Sequence, residues 1–361
     1  MTIRTNLLCL SIALLTAVGC GPKKSAPRET PTSGDLLIYA SEAHLSLVQE
    51  EADSFQRLYP QARLTVQGVN TRKAMVFLIN DSVRMVIADR RFNPEEQRVN
   101  KEANLEITEM RFAEDALSCL VHQKNGMQSI PLQTLEGLIT GRITRWEQLP
   151  ESGLTGPIDL VLTDRNSGVY DLLSRRFFKL ENPLAVTTFS ADQADVLNTV
   201  AQRPLAIGIA SMAGYKATPL GKTLPDSLHG PVRTLGLAGT DSTGRVKNYR
   251  PYQYYIYNGN YALHYSLYAT FNAQSRLAAG FAAFIASAPG QKIVQNYGLV
   301  PGTMPIRFVQ INYECLTNEK NACFPADPCS GMPPLVRSGQ DRQRQGPLAE
   351  RSYQRGAGPN P

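Results

Sequence analysis

Little in this sequence speaks for covalent chemistry. Neither G-x-S-x-G nor H-E-x-x-H occurs in its 361 residues, which excludes two common hydrolase arrangements. Gly221-Lys222-Thr223 looks like the end of a phosphate loop, but Lys216 stands where that motif needs its first glycine, and no strand leads into it. The four histidines, His44, His122, His229 and His264, are scattered and read as surface or packing residues. The six cysteines show no C-x-x-C spacing and those of the C-terminal stretch have no histidine close by, so no metal set is read, and no cofactor motif appears. The single tryptophan, Trp146, reads as a packing anchor. Net charge is only +6 and no dense Lys/Arg run occurs, which argues against nucleic acid as a partner. No internal repeat is present, and no stretch after residue 20 is long and apolar enough to span a bilayer.

What is present begins with a leader. Arg4 precedes an apolar run from Leu7 to Val18, too short for a permanent spanning helix, which needs roughly 20 residues. It reads as a cleavable signal peptide over residues 1–19. The run ends Ala17-Val18-Gly19-Cys20, which resembles a bacterial lipobox with Cys20 as the acylated residue. Ala17 departs from the leucine preferred there. The alternative is a plain signal peptide with Cys20 an ordinary thiol. Residues 20–34 (CGPKKSAPRETPTSG) have no apolar periodicity and read as a solvated tether, lipidated at its start. The body that follows has material for a real core, since the chain is 42% apolar. Residues 314–361 read as a disordered tail carrying Cys315, Cys323 and Cys329. With Cys119 these could pair in three ways, and a disulfide within the tail suits an oxidising compartment.

The body alternates strand and helix signals. Leu36–Ala40 is a short apolar run, as in a strand buried on both faces. Ser41 follows as a candidate N-cap for a helix with apolar residues at Leu45, Val48, Ala52, Phe55 and Leu58. Leu64–Val66, Arg72–Asn80 and Arg84–Ala88 continue as strand, helix, strand. A second unit places strands at Ala116–His122, Ile158–Leu162 and Ala206–Ala210, with helices at Pro131–Thr140 and Val169–Leu180. Arg250–Tyr257 reads as β, and Arg276–Ser287 and Gln291–Tyr297 as helices. The order implies an α/β fold with parallel sheets covered on both faces.

In such sheets ligands bind beyond the carboxyl ends of strands. Three loops there are informative: Ser41-Glu42, Asp89-Arg90-Arg91, and Asp164 to Tyr170. The first and third run straight into helices, whose unpaired N–H groups and partial positive charge suit an oxyanion. Ser167 can donate its hydroxyl, Gly168 lets an anion approach the backbone, and Arg165 can pair with two oxygens. Each residue also has a plain structural reading, as a cap or a solvated surface charge.

Seven segments, in order, resemble the periplasmic phosphate-binding proteins of bacterial phosphate ABC importers, in the lipoprotein branch typical of Bacteroidetes-like bacteria. They are LLIYASEAHLSLVQEEADSFQRLYP, DSVRMVIADRRFNPEE, PLQTLEGLITGRITRWEQL, DLVLTDRNSGVYDLL, RPLAIGIAS, GNYALHYSLY and GFAAFIASAPGQKIVQNYGLVP. The resemblance runs from about Asp35 to Asn312. It implies a two-lobed, type II periplasmic-binding-protein fold with parallel-sheet lobes and two hinge crossovers. Lobe 1 would be residues 35–113 and 242–313, and lobe 2 residues 114–241. It further implies inorganic phosphate in the cleft, an inner-membrane ABC permease as partner, a lipid anchor on the periplasmic side, no enzymatic turnover and a monomer. Anion contacts would fall on Ser41, Arg90, Arg165, Ser167, Gly168 and Val169, with Val169 and Tyr170 standing where relatives carry hydroxyl residues.

Glu42 and Asp89 depart from the common forms, and they bear on specificity. Hydrogen phosphate has a proton that a carboxylate can accept; sulfate does not. One hypothesis makes Glu42 or Asp89 that acceptor. The alternative leaves both acids facing solvent or paired with Arg90 or Arg91. Functional rivals are an oxyanion sensor or scavenger without a transporter, and an interaction lipoprotein.

Overall fold

The computed structural model describes residues 29–178, 183–224, 230–240 and 244–303. The leader, Cys20, the start of the tether and the cysteine-bearing tail lie outside the described residues. The last tether residues are packed rather than free. Glu29 Oε1 accepts from Leu277 N at 2.7 Å and from Ser275 Oγ at 2.8 Å, at the start of the helix Arg276–Ala286. Pro31 lies against Gly280 of that helix.

Strands β1 (Gly34–Ala40), β2 (Ala62–Gly68) and β3 (Met85–Ala88) pair in parallel, with β1 between the other two. The next strand, β4 (Ile107–His122), is the longest in the molecule's described residues. A short β5 (Ser129–Pro131) and then β6 (Asp159–Leu162), β7 (Thr188–Phe189) and β8 (Ala206–Ser211) follow. The chain closes with β9 (Val232–Thr240), β10 (Val246–Tyr249), β11 (His264–Asn272) and β12 (Val300–Pro301). The sheet order is β2-β1-β3-β11-β4-β8-β6-β7, with β9 also beside β4.

The strand β4 joins two sheet regions. Its first part, Ile107 to Ala116, pairs with β11, and its second, Leu117 to His122, with β8 and β9. Asp115 and Ala116 stand at the change of partner. The sheets are mixed rather than all parallel: β11 runs antiparallel to both β3 and β4. The sequence hid the first part of β4 because ITEMRFAED interleaves charges with apolar residues, and some of those charges pair on the surface, as Arg111 does with Glu114 at 2.6 Å.

Alternation along β3 splits its side chains between two cores. Met85 and Ile87 face one that includes Ile38, Phe55 and Phe281. Val86 and Ala88 face another with Met75, Leu78 and Phe92. The second sheet region has its own core of Leu120, Val121, Leu160, Val161, Ile207 and Ile209. Trp146 is fully buried there, and its indole N–H donates to Leu205 O at 2.9 Å, so it is an anchor with its polar edge satisfied. In α/β layers of this kind, strands buried on both faces read as apolar runs, as β3 (MVIA) and β8 (AIGIAS) do.

One expected strand is a helix. Gln253–Tyr257 is helical, although its tyrosines suggest β. Strand preference reflects fit to a pleated, half-buried surface rather than an intrinsic backbone bias. Here the segment buries Ile256 against the second core and stops at Asn258-Gly259, where Gly259 adopts φ +70.

Candidate functional site

Ser41 continues the β1 ladder: its N–H donates to Ile87 O at 3.0 Å, which fixes it beside the end of β3. Its side chain is fully buried, yet Oγ has no hydrogen-bond partner among the described residues. Glu42 opens a single 3-10 turn, Glu42–His44. Both of its carboxyl oxygens are shielded and unpartnered among the described residues. Burial, and then the negative charge of Asp89, push the Glu42 carboxyl up to about 7; Asp164 adds to the rise and His44 opposes it.

The same turn is tied to the strand junction. His44 Nε2 lies 3.0 Å from Asp115 Oδ2, which also accepts from Ser211 Oγ at 2.6 Å and Tyr265 OH at 2.7 Å. All of Asp115, His44 and Ser211 are fully buried. Loop one is therefore anchored to β4, β8 and β11 at once.

Loop two follows β3. Asp89 is buried and accepts from Thr71 Oγ1 at 3.0 Å, from the first residue of the helix Thr71–Ile79. Arg90 is buried and already neutralised. Its guanidinium forms a two-pronged pair with Glu96, at 2.6 and 2.8 Å, and Nε lies 3.6 Å from Asp171 Oδ2. Burial works against the Arg90 charge, but Glu96, with Asp171 and Asp89, outweighs it and raises the guanidinium's pKa. Glu96 is itself fixed by a capping box with Asn93 at the start of the helix Pro94–Glu102. Arg91 instead points outward, 5.1 Å from the Tyr268 ring centroid.

Loop three leads from β6 into the helix Gly168–Phe177. Ser167 is its N-cap, with Oγ accepting from Tyr170 N at 3.1 Å, and its hydroxyl proton remains available. Val169 buries its side chain in the second core. Tyr170 turns its hydroxyl to the backbone, accepting from Leu184 N at 3.0 Å. Arg165 is exposed, with its guanidinium carbon 5.4 Å from the Phe189 ring centroid.

Loops two and three meet. A side chain at Gly168 would overlap the Asp89 carboxylate, so only glycine fits where Asp89 packs on this helix start. The structure thus brings Glu42, Asp89, Arg90 and Gly168 into one neighbourhood, with Ser41 and Ser167 beside them, while Arg165 sits outside on Phe189. Thr71 was not singled out in the sequence. Its signal was the same as Ser41's and Ser167's, a hydroxyl residue opening a helix after a parallel strand. Thr163 and Gln193, both buried and 3.4 Å apart through Oγ1 and Nε2, also line this region without a clear sequence cue. The arrangement pairs hydroxyl donors and the first N–H groups of a ten-residue helix with two carboxyl acceptors. That set suits an oxyanion that carries protons of its own.

Comparison with known proteins gives a consistent picture. A family profile described as "PBP superfamily domain" matches residues 25–289. The chain is 24% identical over 294 residues to a Pseudomonas aeruginosa protein named phosphate-binding protein PstS, covering 74% of this chain and 83% of that one. A candidate phosphate ABC transporter substrate-binding protein from Clostridium perfringens, solved with bound phosphate, superposes with TM-score 0.61 at 19% identity, over 74% of this chain and 100% of the other. An ABC-type phosphate transport receptor from Vibrio cholerae gives TM-score 0.56 at 18% identity, over 74% and 100%.

Proposed function

We propose that this chain, which belongs to the PBP superfamily, captures inorganic phosphate outside the cytoplasm and hands it to an ABC permease. The carrying observation is the buried, unpartnered pair of Ser41 hydroxyl and Glu42 carboxyl beside the point where Asp89 meets Gly168. Buried polar groups are ordinarily satisfied, and an unsatisfied one costs about 1–3 kcal/mol. A bound oxyanion with its own protons would satisfy both. The relative named PstS and the phosphate-bound fold neighbour support phosphate as that ion.

In this reading Ser41, Ser167 and the N–H groups of Gly168 and Val169 donate to phosphate oxygens, and Glu42 and Asp89 accept from its protons. Arg90 acts through Asp171 and Glu96, holding loop two against loop three. Arg165 contributes from the rim, leaving Phe189 as the ion enters. The lobes, residues 35–113 with 242–313 and residues 114–241, close about the ion as a monomer, hinging where the chain crosses between them. Cys20 carries the lipid that keeps the protein beside the membrane. No covalent step is involved. Thermal stabilisation across a panel of oxyanions tests the function: phosphate should raise Tm in a concentration-dependent way. No response to phosphate would refute it.

A further inference from the structure

The charge inventory of the site limits which form of phosphate it can hold. Its buried cation, Arg90, is matched by Glu96 at 2.6 Å, with Asp171 a further 3.6 Å neighbour. Arg165 is exposed. Two acids remain, Asp89 and Glu42, close enough that the charge of one raises the proton affinity of the other. Asp164 adds a third negative charge facing Glu42, opposed by a backbone N–H at Glu42 itself and by His44. The hydrogen phosphate dianion has one O–H for two acceptors. Its second contact with an acid would set two negative charges against each other in a shielded place. The dihydrogen monoanion has an O–H for each.

We propose that the site holds phosphate as H2PO4−, Asp89 and Glu42 each accepting one of its two O–H groups, so that capture from alkaline solution takes up one proton from solvent. The inference rests on the phosphate-binding reading and refines it. The proton is shared along the Glu42–phosphate hydrogen bond, so a protonated Glu42 donating to the dianion is the same complex. The fully buried, unpartnered Ser41 hydroxyl next to Glu42 points independently to a ligand here, and it supplies a donor to a phosphate oxygen that carries no proton. Glu42 is the residue that distinguishes this chemistry, because Asp89 alone would be served by the dianion.

The test is calorimetric titration of the full chain with inorganic phosphate at about pH 6.5, 7.5 and 8.5, each in two buffers of different ionisation enthalpy. Wild type should lose affinity progressively above neutrality, the loss approaching about tenfold per pH unit at the alkaline end, and take up about one proton per ion at the highest pH. Glu42→Gln, whose amide donates where the carboxylate accepted, should bind phosphate with no proton uptake and a flat profile from pH 7.5 to 8.5. A flat wild-type profile, or the same slope in Glu42→Gln, overturns the inference while leaving phosphate binding intact. Absence of phosphate binding by wild type at every pH overturns both.

Discussion

Ser41 and Ser167 look alike in sequence, each a serine between a parallel strand and a helical turn, and the structure uses them differently. Ser167 caps a ten-residue helix through Tyr170 N at 3.1 Å. Ser41 opens a three-residue turn and makes no cap at all. The acids beside them diverge in the same way. Asp164 is exposed and holds its own loop by accepting from Asn166 N, at 3.3 Å. Glu42 has nothing. Loop three is thus locally satisfied and ready-made, whereas loop one holds its polar atoms unsatisfied. Folding alone does not explain that cost, so loop one is where ligand binding should repay the most.

Breaking the meeting point of the two loops should have the largest effect. Gly168→Ala drives a methyl into the Asp89 carboxylate. Since its φ is not positive, the backbone accepts alanine and the fold should survive. We expect phosphate affinity to drop by about a hundredfold or more, roughly 2.7 kcal/mol, with circular dichroism unchanged. Next in size is the contrast between the serines. Ser41→Ala should cost about 1.5–3 kcal/mol of phosphate binding, the range for a hydrogen bond to a charged group, with no loss of stability in the free protein. Ser167→Ala should lower free-protein stability by about 1 kcal/mol through its lost cap, in addition to weakening binding. Denaturant unfolding with and without phosphate separates the two.

Glu42 supplies a smaller effect with a definite sign. A carboxyl raised to about 7 holds its proton in the folded state when the unfolded chain has already released it. Its contribution is therefore full below about pH 4.5 and is lost as pH rises through about 7. Relative to wild type, Glu42→Gln should gain about 1–2 kcal/mol in phosphate-free unfolding between pH 5 and pH 8, a figure reduced for its partial exposure. Arg165→Ala should be the mildest. Phosphate affinity should weaken by less than about tenfold, and the loss should fade in high salt, as for an exposed charge.

The fold was legible where one local rule governed. β1 and β3 were readable as apolar runs, the helix Leu45–Leu58 as an apolar stripe, and the helix after Ser167 as a capped start. It was not legible where partners lie far along the chain. The charges of Ile107–Asp115 made sense only with β11 paired alongside, and the tyrosines of Gln253–Tyr257 only with a core to cover. The same division runs through the site. Ser41, Asp89 and Gly168 stood out because they follow strand ends. Nothing local said that Arg165 lies on Phe189, twenty-odd residues on, or that Glu42 would be left without a partner. The pairing of Arg90 with Glu96 could have been anticipated, because Asn93 and Glu96 have the spacing of a capping box, which places the glutamate back over the loop.

As proposed, loop one's unpartnered acid and hydroxyl, with loop three's helix start, form a site for a proton-bearing oxyanion. Calorimetric titration of the free protein with phosphate and with sulfate under identical conditions tests it most directly. One phosphate per chain is expected, with no measurable heat from sulfate, which has no proton to offer Glu42 or Asp89. Equal affinity for the two ions, or no binding of phosphate, would contradict it.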